Sequence, residues 1–277
     1  MPKFAANLSM MYPDLPFMDR FAAAAKDGFK AVEYLFPYAF APNDLAARLK
    51  DHGLQQVLFN SPPGGMDTHS FTATWTQGDR GTASVPGREA EFRAGFEAAL
   101  AYADALDCPR VHAMVGLRAP DGDAALHDRT LISNLQWAGA LAAKDGRDVL
   151  VEPINPRSVP GFHLNRQDDG HRIVQAVNLP NVKVQMDLFH CQIVHGDLTT
   201  LIRQYLPTGR VGHFQIADVP DRHEPGTGEV NWPHMFKTID EVSAACGWDG
   251  WIGCEYNPAD ATAGGTSRGL QWWRDLT

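Results

Sequence analysis

The chain has 277 residues, of which 44% are hydrophobic, and this length and apolar content suffice for one large α/β domain. Its formal net charge of −9 argues against a nucleic-acid-binding protein, because phosphate contacts need clustered Lys and Arg. The start lacks the apolar core of a signal peptide, and no run approaches the ~18 apolar residues of a membrane span. We therefore expect a cytoplasmic protein with no membrane partner. None of the four cysteines forms a Cys-x-x-Cys pair, which argues against a thiolate zinc site.

The first half of the chain alternates between short apolar runs and longer helical patterns. Predicted strands cover residues 4–8, 31–35, 57–60 and 111–115, and predicted helices cover residues 17–26, 44–51, 88–107 and 124–144. Asn43 is predicted to cap the second helix, and Gly53 to end it. Residues 61–87 are rich in Gly, Pro and Thr and predict one long loop, which at this length is typical of a functional or disordered segment.

The second half continues the same alternation. Predicted strands cover residues 149–152, 182–187, 211–215 and 251–255, and predicted helices cover residues 167–177, 198–205, 232–246 and 266–276. Eight strand–helix units predict an α/β fold, a single (β/α)8 TIM barrel that occupies residues 1–277 as one domain. A doubly wound open sheet is the competing architecture. It is disfavoured because no Gly-x-Gly-x-x-Gly follows the first strand.

Each of the last four predicted strands has an oxygen-bearing side chain at or near its carboxyl end, namely Glu152, Asp187, Gln215 and Glu255. Their separations of 35, 28 and 40 residues fit consecutive strand–helix units, so the side chains should converge on one face of the barrel. This all-oxygen set suits Mg²⁺ or Mn²⁺ better than Zn²⁺. Any one of the four alone could be a helix cap or an ion-pair partner, but the set favours a metal site. His213 should face the same side as Gln215, either supporting a ligand or as a core histidine.

Three further side chains could hold an anionic substrate at this face. His190 is predicted to lie in a loop after the 182–187 strand, where it could hydrogen-bond a substrate oxygen or carboxylate. Arg222 belongs to the loop 218–228, which follows the next strand and should overhang the same face; its guanidinium matches a carboxylate. Arg88 begins a predicted helix and could bind an anion, although a partner within the protein explains it equally well.

Short runs from one end of the chain to the other carry a family resemblance. In order they are Phe4–Met10, Val32–Tyr38, Pro86–Glu89, Glu152–Asn155, Pro160–Leu164, His213–Asp218, Glu224–Glu229 and Gly250–Tyr256. As an ordered set they resemble the hydroxypyruvate isomerase family within the xylose-isomerase-like barrels. The segment Asp67–Trp75 departs from the family by its greater length, and its role is open.

The resemblance implies one divalent metal ion, Mg²⁺ or Mn²⁺, bound by Glu152, Asp187, Gln215 and Glu255. It also implies that Glu152 and Glu255 are the catalytic proton donor and acceptor. Similarity to ketose 3-epimerases of the same superfamily implies that His190 and Arg222 contact substrate oxygens. The implied reaction is an intramolecular oxidation and reduction that interconverts hydroxypyruvate and tartronate semialdehyde through an enediolate.

Other functions stay open on the sequence alone. A small anionic hydroxy-oxo acid is the expected substrate, and the run Pro160–Leu164 favours hydroxypyruvate by resemblance. A 2-oxo-tetronate isomerase or a ketose 3-epimerase would use the same two glutamates. A metal-dependent barrel nuclease is disfavoured, because such sites have more His ligands and a basic groove. A non-catalytic binding barrel would not need both Glu152 and Glu255. The sequence leaves the native metal and the oligomeric state open.

Overall fold

The structure, a computed structural model, describes residues 2–276 and forms a closed barrel of eight strands in chain order. The strands are β1 (Phe4–Asn7), β2 (Ala31–Tyr34), β3 (Gln55–Asn60), β4 (Arg110–His112), β5 (Asp148–Val151), β6 (Val182–Asp187), β7 (Val211–Ile216) and β8 (Ile252–Cys254). The predicted (β/α)8 barrel is thereby confirmed. The assignment of residues 1–277 to one domain remains a prediction.

Helices alternate with the strands. They are α1 (Arg20–Lys26), α2 (Pro42–His52), α3 (Thr68–Thr74), α4 (Glu89–Ala105), α5 (Ala124–Ala142), α6 (Gln167–Val177), α7 (Leu188–Val194), α8 (Leu198–Tyr205), α9 (Trp232–Cys246), α10 (Gly265–Gly269) and α11 (Gln271–Arg274). No helix within residues 2–276 has both the length and the apolar character needed to cross a bilayer.

Two predicted loops contain helices instead. Within residues 61–87 lies α3, whose cap is a reciprocal pair: the Asp67 carboxylate accepts the Ser70 N–H at 2.9 Å, and Ser70 Oγ accepts the Asp67 N–H at 3.1 Å. The prediction missed it because Thr and Ser are poor helix formers inside a helix but good caps. His190 was also predicted in a loop and lies in α7, which Asp187 caps by accepting the Phe189 N–H at 2.8 Å.

Two helix boundaries differ from the predictions. Asn43 is inside α2 instead of capping it, because the helix begins at Pro42, a residue that fits a first turn, where its missing N–H costs nothing. The predicted final helix 266–276 is divided into α10 and α11 at Leu270.

The barrel's contacts group the chain into two compact units. The first comprises the chain up to Tyr34, Ala47–Val57 and the chain from Met186 on, and the second comprises Leu35–Ala46 and Leu58–Gln185. In the first unit, the Phe4 ring meets Phe236 and Trp272 edge-to-face at centroid distances of 5.2 and 5.1 Å. Such edge-to-face aromatic contacts stabilise the packing of α9 and α11 against β1.

Strand register in the first unit aligns polar side chains in the barrel interior. Asn7 of β1 pairs with Glu33 of β2, and Gln215 of β7 pairs with Gly253 of β8. All four residues of β1 and of β2 are buried, so the charged side chain of Glu33 is fully enclosed. A buried carboxylate needs hydrogen-bond donors, and its partners are described below.

Candidate active site

Glu152 follows β5 and lies in the second unit, 5% exposed. Its Oε2 is 3.8 Å from His112 Nδ1, and His112 Nδ1 is 3.1 Å from Asn60 Oδ1. Burial lowers the pKa of His112 to about 3, so the imidazole is neutral at physiological pH. His112 therefore provides a dipole beside Glu152 and does not neutralise its charge.

Asp187 ends β6 and is fully buried in the first unit. While its Oδ1 caps α7, its Oδ2 lies 3.4 Å from His190 Nε2 and 3.3 Å from Arg222 Nη2. Burial raises the pKa of Asp187, whereas Arg222 and the N–H of Phe189 oppose that rise. The α7 helix thus brings His190 to the same carboxylate oxygen that Arg222 approaches.

Glu255 directly follows β8 and is 4% exposed. Arg222 Nη2 donates to Glu255 Oε2 at 2.5 Å, and Arg222 Nε donates to the backbone oxygen of Glu255 at 3.4 Å. Burial raises the pKa of Glu255 to about 8; Arg222 lowers it, and the charges of Asp187 and Glu33 raise it. Burial and the neighbouring carboxylates therefore raise the pKa of Glu255 against the effect of Arg222, as is common for a catalytic acid or base.

Arg222 is positioned by a tightly hydrogen-bonded loop. The Asp218 carboxylate accepts the backbone N–H groups of Gly226, Gly228 and Val230 at 2.9, 3.0 and 3.1 Å. Arg222 itself has a left-handed backbone with φ of 61°, and its guanidinium lies 4.9 Å from the centre of the Phe189 ring. Asp218, which sequence reasoning did not single out, holds the loop in the conformation that presents Arg222.

Gln215 contacts a carboxylate that sequence reasoning also missed. Gln215 Nε2 donates to Glu33 Oε1 at 2.7 Å, and His213 Nε2 lies 2.6 Å from Glu33 Oε2. His213 and Gln215 therefore face the same side of β7, as strand alternation predicts. The available signal for Glu33 was a single charged residue within the otherwise apolar run 31–35.

Asp187 and His190 place two potential metal donors side by side in the first unit. Both side chains are buried, and Asp187 Oδ2 lies 3.4 Å from His190 Nε2. A carboxylate oxygen and an imidazole nitrogen are both donors that bind divalent cations. His190, predicted to contact substrate, thus lies beside the predicted ligand Asp187, whereas Glu255 is paired with Arg222.

Arg88 is engaged by two acidic side chains. Its Nη1 is 2.7 Å from Asp79 Oδ1, and its Nη2 is 2.6 Å from Glu91 Oε1. The guanidinium is therefore committed to fixing the segment before α4, which is the internal-partner explanation that the sequence left open. Asp79 and Glu91, rather than the adjacent Glu89, are the partners.

Comparisons with known proteins place this barrel in a family. Residues 21–276 match the xylose isomerase-like TIM barrel. A 2-oxo-tetronate isomerase of Cupriavidus necator is 50% identical over 272 residues, with 98% of this chain and 97% of that protein covered. The hydroxypyruvate isomerase of Escherichia coli is 39% identical over 274 residues, with 98% of each protein covered. A crystal structure from Brucella melitensis, described as an AP endonuclease of family 2, is 46% identical with a TM-score of 0.90 and 99% of each chain covered.

The family model and the full-length curated relatives agree on the enzyme class. Both curated relatives are named isomerases, which confirms the predicted class of enzyme. The chain belongs to the xylose isomerase-like TIM barrel family, together with the hydroxypyruvate and 2-oxo-tetronate isomerases.

Proposed function

We propose that the protein is a metal-dependent isomerase that moves a carbonyl group between C2 and C3 of a short 2-oxo acid. The observation that carries this proposal is the meeting of Asp187 and Glu255 at one guanidinium, that of Arg222. Such a site combines buried carboxylates, which can bind a cation and move protons, with a cation that can hold an anionic substrate.

The proposed metal ligands are Glu152, Asp187, Gln215 and Glu255, and His190, whose Nε2 lies 3.4 Å from Asp187 Oδ2, is a neighbour of the proposed ion. A bound Mg²⁺ or Mn²⁺ would supply Lewis acidity to the substrate oxygens. Fit is supported by the donor chemistry, since each proposed ligand offers an oxygen, the donor that these hard cations prefer. Gln215 can offer its carbonyl oxygen because its amide nitrogen is already hydrogen-bonded to Glu33.

Proton transfer is assigned to Glu152 and Glu255. Isomerisation removes one proton from C3 and returns one proton to C2, while the hydroxyl proton moves from the C3 oxygen to the C2 oxygen. No electrons are gained or lost overall. Glu255 is buried, and burial raises the pKa of its carboxyl group, which favours its exchange of a proton with the substrate. Glu152 is buried and serves as the second acid–base group in this proposal.

Arg222 and His190 are assigned to the substrate. Arg222 is the nearest guanidinium to Asp187 and Glu255 among the described ion pairs, and its side chain retains partial solvent access at 20%. A guanidinium can bind a carboxylate through two parallel hydrogen bonds, which would fix the substrate's C1 end. His190, whose Nε2 lies 3.4 Å from Asp187, is placed to donate to a neighbouring substrate oxygen.

Between the two acid substrates, we propose 2-oxo-tetronate as the preferred one. The resemblance in Pro160–Leu164 favoured hydroxypyruvate, but the 2-oxo-tetronate isomerase is 50% identical to this chain and the hydroxypyruvate isomerase 39%. Both acids carry a carboxylate, a C2 carbonyl and a C3 hydroxyl, so the same residues can act on either.

Turnover assays test this proposal. The protein, supplied with Mn²⁺ or Mg²⁺, is offered 2-oxo-tetronate, hydroxypyruvate, a free ketose and duplex DNA with an abasic site. We expect isomerisation of both acids, a higher kcat/KM for 2-oxo-tetronate and no DNA cleavage, consistent with the net charge of −9. DNA cleavage without isomerisation would replace the proposal with a nuclease. Epimerisation of the ketose alone would replace it with a sugar epimerase.

A further inference from the structure

Glu33 lies at the centre of a buried hydrogen-bond network under the candidate site. Its Oε1 accepts Asn7 Nδ2 at 3.0 Å and Gln215 Nε2 at 2.7 Å, and its Oε2 lies 2.6 Å from His213 Nε2. All four side chains are at most 2% exposed. This carboxylate belongs to β2, far along the chain from the proposed ligands, and Glu33 is not among the residues assigned above to catalysis or to metal binding.

The donors around Glu33 have fixed directions. Asn7 Oδ1 accepts the Ser9 N–H at 3.1 Å, so the amide nitrogen of Asn7 must be the atom that faces Glu33. Within residues 2–276, no hydrogen-bond partner faces His213 Nδ1, which fits an imidazole that carries its proton on Nε2 and donates it to Glu33. Both oxygens of Glu33 thus accept hydrogen bonds from well-oriented donors.

An acceptor-only carboxylate dictates the orientation of the Gln215 amide. Carbonyl and amino ends of a glutamine are similar in shape, and the hydrogen-bond network decides which way the amide is turned. With its amino end donating to Glu33, Gln215 must direct its carbonyl oxygen away from Glu33. That oxygen is the only side-chain atom of Gln215 that can bind a cation, because the amide nitrogen is a donor.

We propose that Glu33 is a positioning residue that turns the Gln215 carbonyl oxygen toward the proposed metal ion. This inference rests on the proposed metal-dependent function and adds a residue to it. Glu33 acts through Gln215 and does not touch the substrate or the ion. Partners of this kind orient metal ligands, and their loss typically weakens metal binding ~10- to 100-fold.

Gly253 of β8 lies directly against the Glu33 carboxylate. A methyl group at this position would overlap the Glu33 carboxylate, so the absence of a side chain on β8 leaves the room that Glu33 occupies. Since Gly253 is also the register partner of Gln215, the strand pairing and the carboxylate position are set together. Gly253→Ala should therefore displace Glu33 without removing its charge.

The test is a double-mutant cycle on Mn²⁺ affinity, measured with the EDTA-treated full-length protein by electron paramagnetic resonance of free Mn²⁺. Glu33→Gln should weaken Mn²⁺ binding ~10-fold or more. The amino group of the new side chain is itself a donor, so it cannot accept hydrogen bonds from Gln215 and His213 as the Glu33 carboxylate does. Gln215→Glu in the wild-type background places two carboxylates in contact. In the Glu33→Gln background, the new carboxylate can instead accept from Gln at position 33. The effect of Gln215→Glu on Mn²⁺ affinity should therefore be ~10-fold more favourable in the Glu33→Gln background than in the wild-type background.

Asn134→Ala is the matched control. It removes a buried hydrogen bond, from Asn134 Nδ2 to the Ala83 oxygen at 2.8 Å, and should lower thermal stability while leaving Mn²⁺ affinity unchanged. If Glu33→Gln lowers Mn²⁺ affinity no more than Asn134→Ala, or if Gln215→Glu has equal effects in the two backgrounds, Glu33 does not position Gln215.

If wild-type protein binds no Mn²⁺, the proposed metal centre itself fails, and the role of Glu33 falls with it. If the Glu33→Gln protein does not fold, the Mn²⁺ affinity of Gly253→Ala is measured in its place. A ~10-fold loss of affinity in Gly253→Ala supports the role of Glu33, and an unchanged affinity overturns it.

Discussion

Arg222 and Glu255 are joined by a short charge-assisted hydrogen bond, with Arg222 Nη2 donating to Glu255 Oε2 at 2.5 Å. The same nitrogen lies 3.3 Å from Asp187 Oδ2, so one positive charge serves two buried carboxylates. A guanidinium in this position lowers the pKa of both groups against the effect of burial. It also leaves a cation at the place where we propose that an anionic substrate binds.

Removing Arg222 should separate substrate binding from metal binding. Arg222→Ala should lower kcat/KM for 2-oxo-tetronate ~30-fold, which corresponds to ~2 kcal/mol of transition-state binding, and should affect an uncharged ketose much less. Mn²⁺ affinity should stay equal or rise, because a positive charge beside Asp187 and Glu255 is lost. Arg222→Lys, which retains the charge without the planar fork, should lie between. Equal losses on charged and uncharged substrates would show that Arg222 positions the loop or a hydroxyl group instead.

Asp187→Ala should strip most of the metal from the purified protein. The substitution removes a charged oxygen ligand that is fully buried and leaves the other carboxylates repelling one another. Metal content by atomic emission and Mn²⁺ affinity by titration check this expectation. Stoichiometry and affinity equal to the wild type would remove Asp187 from the ligand set and leave it as the cap of α7.

Glu152→Gln and Glu255→Gln retain an oxygen atom but lose the base. Each should reduce turnover by on the order of 10²-fold or more, the effect typical of a lost general acid or base. Rates are to be compared at saturating Mn²⁺, so that weaker metal binding does not lower them. A near-normal rate at full metal occupancy would refute the acid–base role of the residue concerned.

The cysteines test the fold independently of the chemistry. Cys246 is exposed, whereas Cys108, Cys191 and Cys254 are buried, and burial raises the pKa of Cys108 to about 12. Because the thiolate is the reactive form, a thiol reagent such as DTNB should modify one cysteine rapidly in the native protein and all four after denaturation. Mass spectrometry should locate the native label on Cys246. Rapid native labelling of Cys108 or Cys254 would contradict the packing of the barrel.

Much of the barrel could be predicted because its signals are local. The strand bounds Val182–Asp187 and the helix bounds Gln167–Val177, Leu198–Tyr205 and Trp232–Cys246 agree with the structure, since apolar periodicity and turn residues mark their ends. The positions of Glu152, Asp187, Gln215 and Glu255 at strand ends followed from the same pattern. Their roles as metal ligands remain a proposal.

What the sequence did not reveal depends on contacts between distant segments. The proposed role of Glu33 depends on hydrogen-bond donors on β1 and β7, up to 182 residues away along the chain. No local sequence pattern around Glu33 indicates those donors. Arg222 reaches Asp187 and Glu255 because Asp218 shapes the intervening loop. The helix α3 was missed for a different reason, since its stabilising cap pairs Asp67 with Ser70 within a segment of weak helix formers.

Exchange of the substrate's carbon-bound proton with solvent tests the central proposal most directly. EDTA-treated protein is incubated with 2-oxo-tetronate in D₂O, with and without added Mn²⁺, and deuterium at C2 and C3 is followed by NMR. We expect deuterium at these carbons and formation of the isomer only when Mn²⁺ is present, with both lost in Glu255→Gln. Isomer formation at an undiminished rate in the metal-free protein, or no exchange and no isomer in the Mn²⁺-loaded protein, would contradict metal-dependent isomerisation by proton transfer.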